Sequence, residues 1–261
     1  MIPKKIHYMW FGGNPLPEST KKYIESWKKF CPDYEIKQWD ETNFDVHCCK
    51  YVEEAYNAKK WAFVSDYARF NALYQDGGIY LDTDMEVLRS FDSLLKHTAF
   101  FGFATEGLTL PVFGSEAGTK FIRDMLDDYN NRSFINEDGT YDTTPLDIPA
   151  LRVLKESYGL IENYQYQVLK DGTAIYPKEY FYSTDACTGR ITRYPELYCI
   201  HYADASWLDE ENKDSLLLRR KLVKILGIKM GSLTEAFITN IKREGLFSAV
   251  KRTIKFMTKK R

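Results

Sequence analysis

Apolar and polar positions change period repeatedly along the first part of the chain. Ile6 to Phe11 form an unbroken apolar and aromatic run closed by Gly12-Gly13, the pattern of a buried strand that opens into a loop. From Pro17 to Phe30 the spacing turns helical, with Tyr23, Trp27 and Phe30 on one face and proline near the start. Tyr34 to Trp39 then alternates as a second strand and ends at Asp40. This β-α-β opening predicts an α/β sheet whose ligands sit beyond the strand ends.

Residues 61–76 are helical by period, with Phe63, Tyr67, Phe70 and Tyr74 on one aromatic stripe and Asp66 and Arg69 on the next. So much of the perimeter is apolar that the helix should be well buried. A charged pair there is costly unless satisfied, which leaves two readings open: a structural i,i+3 ion pair, or a polar pair facing a ligand. After Gly77-Gly78 a short strand, Ile79-Tyr80-Leu81, delivers Asp82-Thr83-Asp84, and Met85-Glu86-Val87 resumes alternation. Continued alternation would send both aspartates to one side, where they would repel without a cation; hard oxygen ligands suit magnesium or manganese.

Further along, residues 98–114 read as two buried strands around a turn at Glu106-Gly107, and Lys120 to Tyr129 as a helix. The polar stretch 130–143 reads as a loop. Thr143-Thr144-Pro145 precedes another helical pattern through Leu154, as an N-cap or as hydroxyls pointing into a site. Short strands and turns fill 164–200, with aromatics clustered at Tyr176, Tyr180, Phe181 and Tyr182. A second polar constellation, His201 to Trp207, follows the apolar stretch Leu197 to Ile200: a histidine able to ligate a metal, and Ser206 and Trp207 able to donate to a phosphate.

The chain has 261 residues and 44% apolar content, with 19 Tyr, 16 Phe and 5 Trp, enough for a full core and for rings that stack on sugars or bases. Five cysteines without CxxC spacing suggest neither a disulfide framework nor a zinc site. No run reaches a membrane span and the N-terminus lacks the pattern of a signal peptide, so the expectation is a cytoplasmic protein. The net charge of −1 hides an asymmetry. Residues 214–261 carry thirteen Lys and Arg against three Asp and Glu, a balance of +10, and the rest of the chain balances at −11. Helical segments are expected at about 214–226 and 246–258. In the second, Leu246, Phe247, Val250, Ile254 and Met257 face away from Lys251, Arg252, Lys255 and Lys259, a pattern that suits an anionic membrane surface as well as packing on protein.

Taken together, Ile2 to Gly13, Ala62 to Asp84 and His201 to Trp207 resemble the DxD-containing family 32 of retaining glycosyltransferases, including bacterial capsule and surface-polysaccharide enzymes. The resemblance implies a GT-A type, Rossmann-like mixed sheet flanked by helices over residues 1–213, with the basic helical tail, 214–261, outside it. It implies a nucleotide-sugar donor, of the UDP-sugar kind, and Mn2+ or Mg2+. By that analogy Tyr8 and Trp10 hold the base, and Asp66 and Arg69 bind donor-sugar hydroxyls. Asp82 touches ribose or sugar, Asp84 and His201 ligate the metal, and Ser206 and Trp207 contact the diphosphate. Where many relatives carry Thr-Gly-Pro, this chain has Thr143-Thr144-Pro145. The expected acceptor is a saccharide, lipid-linked at the inner face of the plasma membrane. The rival readings are a metal-dependent phosphohydrolase acting on a nucleotide and a non-catalytic sugar-binding protein; no nucleic-acid-reading motif is present.

Overall fold

The computed structural model describes residues 1–185, 188–204 and 210–245. In chain order the elements are β1 (Lys5–Met9), α1 (Glu18–Phe30), β2 (Glu35–Trp39), α2 (Lys50–Asn57), α3 (Trp61–Asp76), β3 (Gly78–Leu81) and β4 (Met85–Val87). They continue as β5 (Ala99–Phe103), β6 (Leu108–Ser115), α4 (Lys120–Asn130), α5 (Asp147–Tyr158), β7 (Gln167–Val168), β8 (Thr173–Tyr176), β9 (Cys199–His201) and α6 (Glu210–Glu244).

Seven strands form one mixed sheet in the order β2-β1-β3-β6-β5-β8-β7. The first three run parallel, and β6 is antiparallel to both β3 and β5. A separate two-stranded ribbon pairs β4 with β9. The fold is therefore a mixed α/β sheet flanked by helices, as the alternating strand and helix patterns predict. Alternation sorts the side chains onto two cores. Tyr80, Phe101 and Phe113 pack with Phe70, Phe121 and Tyr129 from α3 and α4, while Ile79, Leu81 and Phe100 pack with Trp27, Phe91 and Phe181 on the other face.

Helix α2 is not among the elements predicted from the sequence pattern. Thr143 and Thr144 do not cap α5: the residue before the helix is Leu146, and the Thr144 amide donates instead to the Asp142 carboxylate at 3.0 Å. Pro149 sits in the first turn, where its missing N–H leaves no intrahelical bond unmade.

The chain divides into two compact units, residues 1–183 with 192–202, and residues 184–191 with 203–261. The second contains α6, whose first arm, 210–226, begins before the expected 214–226 segment and ends with it at a break at Gly227; the second arm, 228–244, is not expected from the sequence. The predicted segment at 246–258 lies outside the described residues.

Candidate active site

Helix α3 ends where Gly77 takes φ +63° and Gly78 φ +116°. A Cβ on Gly77 would meet the Ala117 amide at 2.8 Å, and one on Gly78 the Lys5 carbonyl at 2.8 Å, so both positions require glycine for shape as well as for dihedral freedom. Buried His7 fixes this turn. The Trp39 indole N–H donates to His7 Nδ1 at 3.0 Å, so the ring proton sits on Nε2 and is donated to the Gly77 carbonyl at 2.8 Å. Burial pushes the His7 pKa down, in keeping with a neutral ring. The chain thus enters β3 pinned to β1 and β2 at once.

Strand β3 ends at Leu81, so Asp82 and Asp84 do not share a face through strand alternation as expected. Residues 82–84 form a turn instead: the Asp82 amide donates to the Pro111 carbonyl at 2.8 Å, the Met85 amide donates to the Asp82 carbonyl at 3.2 Å, and the chain leaves the sheet for the ribbon. What brings the second aspartate to its partner is the β4·β9 register, in which Met85 lies opposite His201. The ladder continues as the Tyr202 amide donates to the Asp84 carbonyl at 3.0 Å, and the Trp27 indole anchors the ribbon through the Met85 carbonyl at 2.7 Å. Asp84 Oδ1 and His201 Nε2 end 3.2 Å apart.

On the α3 side, Arg69 is the centre of a charge network. Its guanidinium, with the side chain only 9% exposed, lies 2.8 Å from Asp66 and 3.5 Å from Asp82. It also donates to the carbonyls of Ser65 and Leu110 and rests 4.4 Å over the Tyr80 ring. The Tyr80 hydroxyl donates to the Asp82 carboxylate. Burial pushes the Asp66 carboxyl up to about 6, with Arg69 opposing the rise and Asp82 adding to it. Ionisation of Asp66 therefore costs stability as pH rises through about 6, and the pair is fully charged only above that.

The structure brings Asp66, Arg69, Asp82, Asp84 and His201 together. Ligand atoms of Asp82, Asp84 and His201 all lie within 4.8 Å of one another, two hard carboxylate oxygens and an imidazole nitrogen, a donor set that fits a divalent ion. Asp82 thereby stands in both networks, as one of the two carboxylates expected to face a cation and as the residue that the family resemblance assigns to ribose or sugar. Tyr8 is buried against Trp27, its hydroxyl donating to Gln38 at 2.7 Å. Trp10 is half-buried just past β1, its indole N–H donating to the Asn14 carbonyl at 2.6 Å. Ser206 and Trp207 lie outside the described residues.

Two residues around the site are given no role by the sequence pattern. Tyr80 is legible in principle, because it lies two residues before Asp82 on the same expected strand run. Arg132 is not, coming from a stretch without period. Its guanidinium pairs with Asp128 at 3.2 Å and with Asp142, and lies over the rings of Tyr51 and Tyr129. With Thr144, Ile148, Pro149 and Arg152 these charges line an open groove of about 230 Å³.

Residues 17–101 match the glycosyltransferase sugar-binding region containing the DXD motif. The match covers about a third of the chain, and in that segment the chain is similar to the family. Asp66, Arg69, Asp82 and Asp84 all fall inside the matched segment, and His201 is joined to it by the ribbon. Among curated proteins, the chain is 31% identical over 134 residues to inositol phosphoceramide mannosyltransferase 3 of Schizosaccharomyces pombe, covering 48% of this chain and 36% of that one. It is 32% identical over 110 residues to the uncharacterized glycosyltransferase L373 of Acanthamoeba polyphaga mimivirus, covering 39% of this chain and 43% of that one. The chain thus spans less than half the length of these relatives. Among solved structures, the PaToxG glycosyltransferase is 20% identical over 48% of this chain and 59% of its own, with a TM-score of 0.39. The galactosyltransferase LgtC, solved with donor and acceptor sugar analogues, is 13% identical over 67% and 74%, with a TM-score of 0.36.

Proposed function

We propose that the protein is a metal-dependent, retaining glycosyltransferase of GT-A type that moves a hexose from a nucleotide-sugar, of the UDP-sugar kind, to a saccharide acceptor. The observation that carries this reading is the meeting of Asp82, Asp84 and His201 beside the Asp66–Arg69 pair, within and next to a DXD sugar-binding region. Asp84 and His201, with Asp82 alongside, would hold Mn2+ or Mg2+, which when bound supplies positive charge against the departing diphosphate. Arg69 holds the Asp66 and Asp82 carboxylates apart and oriented, so that they accept hydroxyl hydrogen bonds from the donor sugar. Tyr8 and Trp10 on the β1 side serve the base, and Ser206 and Trp207 the diphosphate.

No side chain among the described residues is marked as a covalent nucleophile, which favours front-face attack by the acceptor hydroxyl. The polar groove of Arg132, Asp142, Thr144 and Arg152 offers charged donors and acceptors to that acceptor. The mannosyltransferase relative supports both a hexose and a lipid-bearing acceptor. Capsule or surface-polysaccharide synthesis by a peripheral enzyme at the inner face of the plasma membrane fits a basic tail.

The test is a screen of nucleotide-sugars with manganese, reading nucleoside diphosphate release. Release that accelerates with a saccharide acceptor and stops in Asp84→Ala supports the reading. Equally fast release without acceptor would mark a phosphohydrolase, and sugar binding unchanged in Asp84→Ala with no turnover by the wild type a non-catalytic binder.

A further inference from the structure

The second unit contains a feature that transfer chemistry leaves unused. Helix α6 is broken at Gly227, where the backbone leaves helical geometry at φ 78° and ψ 165°. The two arms, 210–226 and 228–244, fold back on one another. The Ser215 hydroxyl reaches Glu235 and, at 3.3 Å, Thr239, and a Cβ on Gly231 would lie 2.5 Å from the Val223 backbone. Pairs 215·239 and 223·231 are the register of a helical hairpin whose tip is Gly227. Buried Gly231 has no side chain to separate the arms at their closest approach.

The tip faces water with the wrong chemistry for water. Ile225 is 78% exposed, Ile228 59%, Met230 56% and Leu226 46%, four large apolar side chains within six residues. A Cβ on Gly227 would touch nothing within 4 Å, so the turn itself is open. Around these side chains stand Lys221, Lys224 and Lys229, all exposed. From Ser215 to Thr234 the sequence has five Lys and Arg and no Asp or Glu.

We infer that this tip is a membrane-docking element: Ile225, Leu226, Ile228 and Met230 enter the acyl boundary of an anionic bilayer while Lys221, Lys224 and Lys229 contact its headgroups. An apolar tip inside a collar of like charge matches a surface that is apolar beneath and anionic above. Lysine stems reach the headgroup level while their aliphatic parts extend the apolar contact. No described helix is long and apolar enough to cross a membrane, so the contact is peripheral. The inference rests on the peripheral-membrane part of the proposed function and assigns it to residues 221–230 rather than to 246–258.

Full-length protein sedimented with vesicles of phosphatidylcholine containing phosphatidylglycerol, and with phosphatidylcholine alone, tests it. The wild type should bind the anionic vesicles and not the neutral ones. Ile225→Ser with Ile228→Ser should weaken binding at least tenfold, and Lys221→Glu with Lys224→Glu should do the same although the apolar tip is intact. Removal of residues 246–261 should leave most of the binding in place. Wild-type binding in both tip variants, or its loss on truncation alone, overturns the assignment. A lipid-free dimer in sedimentation equilibrium that the Ile225→Ser, Ile228→Ser variant dissolves would assign the tip to a second copy and overturn it as well. Nucleoside diphosphate release with a soluble saccharide acceptor, measured on the same variants, should be unchanged. Absent turnover with intact vesicle binding would overturn the transferase reading and leave the docking element standing.

Discussion

The two halves of the candidate site are held together in opposite ways. Asp66, Arg69, Tyr80 and Asp82 come from one helix, the strand after it and the turn that ends that strand, and the two carboxylates share one guanidinium that is almost wholly buried. Asp84 and His201 meet across 117 residues of sequence through a three-residue ladder. The first half is local and carries its own counter-charge. The second is non-local, short, and completed only when β9 pairs. On the proposed reading, local assembly suits a part that grips a sugar in a fixed orientation, and a non-local ladder suits a part that accepts an ion.

This contrast predicts which substitutions damage the fold and which damage only turnover. The largest effect should come from Arg69→Met, which leaves two half-buried carboxylates facing each other without a cation; a loss of about 3–5 kcal/mol is expected in thermal or denaturant unfolding. Asp84→Asn should reverse the pattern. Nucleoside diphosphate release should fall on the order of a thousandfold, equivalent to about 4 kcal/mol in the barrier, with little change in Tm. A comparable loss of stability in both variants would erase the distinction between the halves.

Gly78→Ala tests the hinge that joins them, because the new methyl meets the Lys5 carbonyl at a backbone angle alanine rarely adopts. A loss of about 2 kcal/mol is expected, read as a lower denaturation midpoint. The smallest effect is a pH dependence from His7. Its folded pKa lies below the ordinary 6.5, so the unfolded chain binds the proton more readily, and its contribution is complete above about 6.5 and lost as pH falls through the folded value. Tm measured from pH 8 to pH 5 should therefore fall less steeply in His7→Gln than in the wild type.

The same contrast governs what the sequence reveals. Asp66, Arg69 and the two aspartates are legible because a 3.6-residue period, a glycine pair and a short apolar strand fix their places within one short segment. The expected strand alternation of Asp82 and Asp84 fails because hydrogen bonds at Pro111 and Met85 end one sheet and begin another, which depends on chain more than twenty residues away. His201 can be placed at a strand end, but its pairing with residues 85–87 is not legible; the family resemblance supplies only a metal role shared with Asp84. Arg132 emerges from a loop without period, and the cap of α5 depends on Asp142 taking the Thr144 amide. In the tail, the expected helix 214–226 ends at the break at Gly227, but the second arm and the hairpin it makes with the first are not legible from a helical period alone.

Arg69 carries one further consequence. A lone pair of neighbouring carboxylates would make the polypeptide wait for a cation before it could settle, as in domains whose folding free energy is metal-binding free energy. Here the protein brings its own cation to Asp66 and Asp82, so on the proposed reading folding should not wait for the metal. A chelator should silence such a protein without melting it, and restored ion should revive it without refolding.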